Sequence, residues 1–283
     1  MITVLESINL SSEYLKNKGI ESPRINAELL LAHILNCKRL NLYLSFEKPL
    51  TEEEIDKYRE LLRRRSKFEP LQYIIGKVEF YGIDFKVNPS VLIPRQETEI
   101  LVDTIIGQYD KHDTLRMLDI GTGSGNIAVS LAKNLDNSFI TALDISDEAL
   151  KTANENASLH SVNDRTEFLR FDFLKEDFKR NEFDVVVSNP PYISVMEYEK
   201  LRPELKEYEP KVALTDYNSG FLFYEIISTK SNNILKPGGK LFFEVGKGQF
   251  SKVTEIMKNN NYKNIIVTKD YLNIERVITG ERS

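Results

Sequence analysis

Met117-Leu118-Asp119-Ile120-Gly121-Thr122-Gly123-Ser124-Gly125 is the stretch whose reading decides the fold. Its first part is a mainly apolar run that reads as a strand, and its second part is glycine-rich. Glycines directly after a strand permit tight turning and close approach of the backbone to a ligand. Asn126 to Lys133 then reads as a helix. The alternation continues with a strand over Phe139 to Asp144, a helix over Asp147 to Ser158, and strands over Glu167 to Phe171 and Phe183 to Ser188. A helix through Phe221 to Ile234 is ended by Pro237-Gly238-Gly239. Strand Lys240 to Val245, helix Phe250 to Asn259, and strands Ile265 to Thr268 and Glu275 to Thr279 close the chain. This order predicts an α/β fold, a parallel sheet with helices on both faces. Ligands of such sheets bind outside the carboxyl ends of the strands, at the switch point of the strand order.

The second strand ends in Asp144, about twenty residues after the glycines, where a carboxylate is placed to bind two ribose hydroxyls. Glycines plus acid point to an adenosine-containing cofactor. A dinucleotide site spaces its glycines G-x-G-x-x-G and sets a pyrophosphate on the helix N-terminus. Here they run G-x-G-x-G after Asp119. A carboxylate would repel a pyrophosphate, but it suits the ammonium of a methionine moiety lying next to a sulfonium. S-adenosylmethionine therefore fits better than NAD. Its candidate contacts are Asp119, Gly121, Thr122, Gly123, Ser124, Gly125 and Asp144. Asp172-Phe173, after the third strand, is placed to cover an adenine ring, the acid to its amino group and the aromatic to its face. Core packing is the alternative for Phe173.

Ser188-Asn189-Pro190-Pro191-Tyr192 follows the apolar run Phe183 to Val187. Two prolines cannot continue a central strand, so a stiff loop starts at its carboxyl end. Each proline also holds the residue before it extended. Asn189 is thereby fixed beside the Pro190 carbonyl. An amide offers a donor and an acceptor, and the carbonyl a second acceptor. Together they can grip both hydrogens of an –NH2 on a planar group, while Tyr192 offers a flat face. Such a nitrogen belongs to a nucleobase amino group or a carboxamide. A Pro-Pro turn with an Asx cap is the plain alternative.

Before this region the periodicity is helical. Ile2, Leu5, Ile8 and Leu15 form a stripe, Ser22-Pro23 is a helix start, and Thr51 with Glu54 forms a capping box. Arg63-Arg64-Arg65 reads as a solvated, dipole-matched face or as a docking patch. From Gln72 to Val87 the pattern alternates between turn signals, predicting a β-hairpin. The expected organisation is a helical domain over 1–68, a hairpin linker over 69–90 and a catalytic domain over 91–283. Arg95, Glu97 and Glu99 lie near that junction, a preferred place for a cleft. Spacing does not choose between a substrate-contacting role and an ordinary helix start.

The 283 residues are 41% hydrophobic and 29% charged, with a net charge of −5. That balance argues against a phosphate backbone as main partner. Cys37 is the only cysteine, so no intrachain disulfide forms. No signal peptide, membrane span or metal-ligand spacing is evident. A monomer in the cytoplasm is the expectation, with no metal and no direct nucleic-acid partner.

The chain resembles the HemK/PrmC glutamine methyltransferases that modify peptide chain release factors, over nearly its whole length. The resemblance rests on Ala27 to His33, Glu69 to Ile74, Leu92-Ile93-Pro94-Arg95 with Glu97-Thr98-Glu99, Asp119 to Gly125, and Asn189 to Tyr192. Tyr208-Glu209-Pro210, Pro237-Gly238-Gly239 and Glu244-Val245-Gly246 extend it. It implies a Rossmann-like S-adenosylmethionine-dependent methyltransferase fold with a small N-terminal helical domain that grips the substrate. It also implies methylation of the glutamine side chain in the Gly-Gly-Gln motif of class I release factors. By that analogy Gly121, Gly123, Gly125, Asp144, Phe173 and Asn189 line the cofactor site. Asn189, Pro190, Pro191 and Tyr192 hold the glutamine, with Arg95 and Glu97 as further substrate candidates. Gln96 stands where the family usually has proline. Asp216-Tyr217-Asn218-Ser219-Gly220 departs from the family's glycine-rich version, so no role transfers to it. An adenine or guanine amino methyltransferase of nucleic acids is the alternative, because it shares the Asn-Pro-Pro-Tyr clamp.

Overall fold

In the computed structural model, which describes residues 2–180 and 182–283, the N-terminal stripe forms α1 (Val4–Asn17), opened by a Thr3–Glu6 capping box. It is followed by α2 (Pro23–Ile34), α3 (Arg39–Tyr43), α4 (Glu52–Arg65) with its Thr51–Glu54 capping box, and α5 (Leu71–Ile75). Val4, Ile8, Leu15, Leu30, Leu31, Leu42 and Leu62 form their core. Two expectations fail here. Ser22 makes no side-chain cap: it sits at φ 48, and Pro23 alone sets the helix start. Arg65 is not on a solvated face. It is buried and donates to Asn26 Oδ1 (2.7 Å), the Glu69 carbonyl (3.0 Å) and Glu204. Glu204 belongs to the helix Pro203–Tyr208, which the chain returns to this unit, and Tyr208 donates to the Lys67 carbonyl (2.8 Å).

The second compact unit contains Val78–Arg202 and Glu209–Ser283. The hairpin is shorter than predicted, with β1 (Lys77–Phe80) and β2 (Ile83–Lys86) around Tyr81-Gly82. Gln72 to Ile75 is helical because Ile74 is buried in the helical core and Gly76, at φ 81, terminates the turn. Then follow α6 (Gln96–Ile106), β3 (Arg116–Ile120), α7 (Asn126–Asn134), β4 (Phe139–Asp144), α8 (Asp147–Leu159), β5 (Thr166–Arg170) and β6 (Phe183–Ser188). Three short helices not anticipated from the sequence come next: α9 (Val195–Tyr198), α10 (Pro203–Tyr208) and α11 (Lys211–Leu214). The chain ends with α12 (Leu222–Ser231), β7 (Leu235–Glu244), α13 (Phe250–Asn259), β8 (Tyr262–Lys269) and β9 (Glu275–Arg282).

The seven strands are ordered β5-β4-β3-β6-β7-β9-β8. Five are parallel, as expected, but β9 runs antiparallel to both β7 and β8. A tight turn joins β8 to β9, in which Asp270 accepts from the backbone of Leu272 and Ile274, and so short a link can connect only antiparallel neighbours. Pro237-Gly238-Gly239 lies inside β7 at a register shift against β6, rather than ending a helix.

Side chains alternate between two cores, as a sheet covered on both faces requires. Met117, Val185 and Val187 pack with α6, α7 and the hairpin residues Phe80 and Phe85. Leu118, Val186 and Phe243 pack with α12 and α13. Asn156 of α8 is fully buried and ties the first layer together. It accepts from the Lys86 N–H (2.7 Å) and donates to the carbonyls of Lys86 (3.0 Å) and Ser124 (2.9 Å). The strand order reverses between β3 and β6, and there Ser188 Oγ donates to the Ile120 carbonyl (2.7 Å). The glycine loop and the Asn-Pro-Pro-Tyr loop leave the sheet side by side at this point.

Candidate active site

Gly121, Gly123 and Gly125 all have positive φ, at 78, 54 and 77. A Cβ on Gly121 or Gly123 would meet nothing within 4 Å, so their free faces open on space for a ligand. Gly125 differs: its Cβ would lie 3.0 Å from that of Ala153, so this glycine serves the packing of α7 on α8. Thr122 and Ser124 are buried and hold the loop from within. Thr122 donates to Asp119 Oδ2 (2.6 Å), and Ser124 to Asn126 Oδ1 (3.2 Å). Asp144 accepts from the N–H of Gly123 (2.9 Å) and of Ser146 (2.9 Å), which fixes its carboxylate against the loop with lone pairs left over.

Asp119 is fully buried, and its Oδ1 has no hydrogen-bond partner. Burial pushes its carboxyl up to about 7, against the pull of the Thr122 hydroxyl. A buried acid with one oxygen unpartnered, beside an open glycine cradle, suits a cationic ammonium, so these residues fit the methionine end of S-adenosylmethionine. The folded state binds an extra proton at Asp119 between pH 3.8 and about 7, so stability falls as pH rises through that window. Asp119→Asn removes this loss. In urea unfolding, the stability of the variant relative to the wild type is expected to climb across that window, by at most about 1.4 kcal/mol per pH unit, and then level off. Binding of S-adenosylmethionine should weaken at the same time; a pH-independent difference in stability would count against the buried charge.

Asp172 accepts from the N–H of Leu174 (3.1 Å) and Lys175 (3.3 Å) and pairs with Lys175 Nζ (3.1 Å), so it holds its own turn. Phe173 is 6% exposed, packs in the α12 core and meets Phe171 edge-on.

Asn189 directly follows β6, and its Nδ2 donates to Thr98 Oγ1 of α6 (3.2 Å). That leaves Oδ1 as the end of the amide available to a guest. Pro190 is buried, whereas Pro191 and Tyr192 are half-buried. Burial raises the Tyr192 phenol far above its ordinary value, so the ring stays neutral. The Tyr192 carbonyl accepts from Gln249 Nε2 (2.8 Å), and Ile193 N–H donates to the Leu214 carbonyl (3.0 Å). Asp216 organises the adjacent loop by accepting from the N–H of Asn218 (2.8 Å), Gly220 (2.8 Å) and Leu222 (3.1 Å). Gly220 lies so close that a Cβ there would sit 2.5 Å from the Tyr192 carbonyl oxygen. The segment left without a role in the sequence is thus the backing of the Asn-Pro-Pro-Tyr loop.

Arg95 is held by the buried Glu209 (2.6 Å), and Glu97 lies 3.8 Å from Arg276 of β9. Gln249, which bonds the loop at Tyr192, and Arg276, which lies by Glu97, carried no local signal, because each reaches its partner only through the fold. Thr98 and Glu244 belong to matching motifs but had no role attached.

Residues 6–76 match the PrmC N-terminal domain, and residues 111–278 match a methyltransferase domain family. The release factor glutamine methyltransferase of Fusobacterium nucleatum is 41% identical over 283 residues, covering 99% of this chain and 79% of that protein. Its namesake from Chlorobaculum tepidum is 38% identical, covering 97% of this chain and 95% of that protein. A methyltransferase crystal structure from Pyrococcus furiosus aligns with a TM-score of 0.54 at 17% identity, over 72% of this chain and 91% of that one, and speaks to the fold. The sheet is thus a Rossmann-like methyltransferase fold, and at such identity over nearly its full length this chain belongs to the release factor glutamine methyltransferase family.

Proposed function

We propose that the protein transfers a methyl group from S-adenosylmethionine to the side-chain amide nitrogen of the glutamine in the Gly-Gly-Gln motif of class I peptide chain release factors. It would do so in the cytoplasm, tuning translation termination. The observation that carries this reading is the Asn189 amide: with Nδ2 bonded to Thr98, Oδ1 is left to accept a hydrogen from a planar –NH2 group. The names of the relatives favour a protein glutamine over a nucleobase.

Asp119, Gly121, Gly123 and Asp144 would hold S-adenosylmethionine, with Asp172, Phe173 and Asn189 bordering it. When bound, it supplies a methyl carbon on a sulfonium, so an N–C bond forms as the S–C bond breaks and sulfur keeps the pair. An amide nitrogen is a weak nucleophile because its lone pair is delocalised. Asn189 Oδ1 and the Pro190 carbonyl accept its two hydrogens, aim the nitrogen and favour the positive charge that builds on it. Tyr192 offers a flat neutral face, and Pro191 keeps the loop stiff. Arg95, held by Glu209, and Glu97 border the substrate's approach. The surplus proton leaves the nitrogen after transfer.

The helical unit would grip the body of the release factor. The test is methyl transfer to purified release factor, to its Gln-to-Ala version, and to a peptide carrying the Gly-Gly-Gln loop alone. Transfer to the whole factor, none to the Gln-to-Ala version and a much lower kcat/KM on the peptide are expected. Equal labelling of the Gln-to-Ala version overturns the reading; an equally good peptide overturns the gripping role.

A further inference from the structure

We infer that Gln249, the residue that precedes α13, is a positioning residue for the methyl transfer: it latches the Asn-Pro-Pro-Tyr loop from outside and so sets where Asn189 and Tyr192 meet the substrate amide. This deepens the release factor reading and rests on it.

The loop cannot fasten itself. Proline has no N–H, so two of the three residues after Asn189 bring no backbone donor. The prolines stiffen the loop internally, but stiffness does not fix where the loop stands once the chain has left β6. Neighbouring elements must supply the anchors. One is the bond from the Ile193 N–H to the Leu214 carbonyl (3.0 Å), just beyond the clamp. Another lies within it: Gln249 Nε2 donates to the Tyr192 carbonyl at 2.8 Å.

The direction of that bond follows from its partners. The two ends of a glutamine amide are nearly alike in shape, so the hydrogen-bond network assigns them. Gln249 Oε1 accepts from the Gly246 N–H (3.1 Å), and a backbone N–H only donates. Nε2 therefore faces the Tyr192 carbonyl, which only accepts. The buried Tyr224 hydroxyl donates to the Glu244 carbonyl (2.9 Å) and also reaches Gln249 Oε1 (3.5 Å). The Gln249 N–H donates to the Gly246 carbonyl (3.0 Å) and closes the turn between β7 and α13. The side chain thus ties that turn to the loop.

The fit leaves little slack. A Cβ on Gly246 would lie 2.8 Å from Gln249 Oε1 and 3.0 Å from Tyr192 Cδ2, so the turn that carries the latch also supports the Tyr192 ring. A Cβ on Gly220 would lie 3.1 Å from Gln249 Nε2. Without the latch the Tyr192 carbonyl loses its donor, and the loop is free to shift with its ring. A shift of about 1 Å at a reacting group lowers rates roughly a hundredfold. Asp119, the glycine loop and Asp144 take no part in these bonds, so the cofactor site is left alone.

The experiment compares the wild type with Gln249→Glu and Gln249→Met in methyl transfer to release factor at about pH 8, well above the ordinary glutamate value of about 4.3. S-adenosylmethionine binding and urea unfolding are measured in parallel. Glutamate keeps the length and the acceptor for Gly246 but has no N–H for the Tyr192 carbonyl. Methionine keeps the length and loses both bonds. Both variants should lose roughly ten- to a hundredfold in kcat, with cofactor affinity within a few fold of the wild type. Gln249→Glu should be at least as impaired as Gln249→Met, because it sets a carboxylate against a carbonyl oxygen. A residue that merely held the turn between β7 and α13 would behave differently: Gln249→Glu would turn over like the wild type. That result, or cofactor affinity falling in step with kcat, overturns the latch. Should one variant not fold, kcat and cofactor affinity of the other decide by the same criteria. Absence of transfer by the wild type would instead defeat the release factor reading itself.

Discussion

Asn189→Ala is expected to lower turnover about a hundredfold or more, by analogy with removal of one oriented transition-state donor, while S-adenosylmethionine affinity stays within a few fold. The variant deletes the amide oxygen proposed to accept a substrate hydrogen but leaves Asp119, the glycine loop and Asp144 untouched. It also leaves Thr98 facing the vacated space. An interaction that strengthens as charge builds on the nitrogen lowers kcat and kcat/KM together when lost. Isothermal titration with the cofactor beside steady-state transfer to release factor separates the two effects. Parallel collapse of both, or near-normal turnover, would remove Asn189 from its assigned role.

Gly220→Ala is expected to do comparable damage from outside the clamp. Gly220 has φ +89, and the added methyl would sit 2.5 Å from the Tyr192 carbonyl oxygen and 3.1 Å from Gln249 Nε2. Neither the loop backbone nor the bond between Gln249 and Tyr192 can give way without moving the clamp. A displacement of about 1 Å at a reacting group lowers rates roughly a hundredfold, and the unfavourable backbone adds about 1–3 kcal/mol of instability. Gly238→Ala is the matched control. It carries similar strain at φ +77 but meets nothing within 4 Å, so it should lose stability without losing turnover. Equal turnover in the two variants would mean that the backing loop does not set the geometry of the clamp.

What the sequence revealed was mostly local. The apolar run before Gly121, the glycines themselves and the proline pair after Asn189 each declare their conformation within a few residues. Gln72 to Ile75 departs from the expected hairpin because an alternating pattern is overruled by the helical core into which Ile74 packs. The reversed β9 was hidden because strand direction depends on a turn and a partner that no periodicity encodes. Arg65 looked like part of a charged surface because its partner Glu204 lies 139 residues away. The same distance problem conceals much of the site. Thr98 and Asn189 are 91 residues apart, and Gln249 and Tyr192 are 57 apart. The family resemblance marked several of these residues as matching motifs without saying what each touches.

The excursion of Pro203–Tyr208 into the helical unit has a consequence for engineering. The chain passes from one unit to the other after Lys77 and again on either side of that short helix, so each unit is built from two stretches of sequence. Cutting away the first 77 residues would strip Glu204 and Tyr208 of Arg65 and Lys67. A chimera that exchanges the helical unit must therefore transplant two separate pieces of polypeptide. Exchange of a single terminal cassette would leave Pro203–Tyr208 without Arg65 and Lys67, its partners in the helical unit.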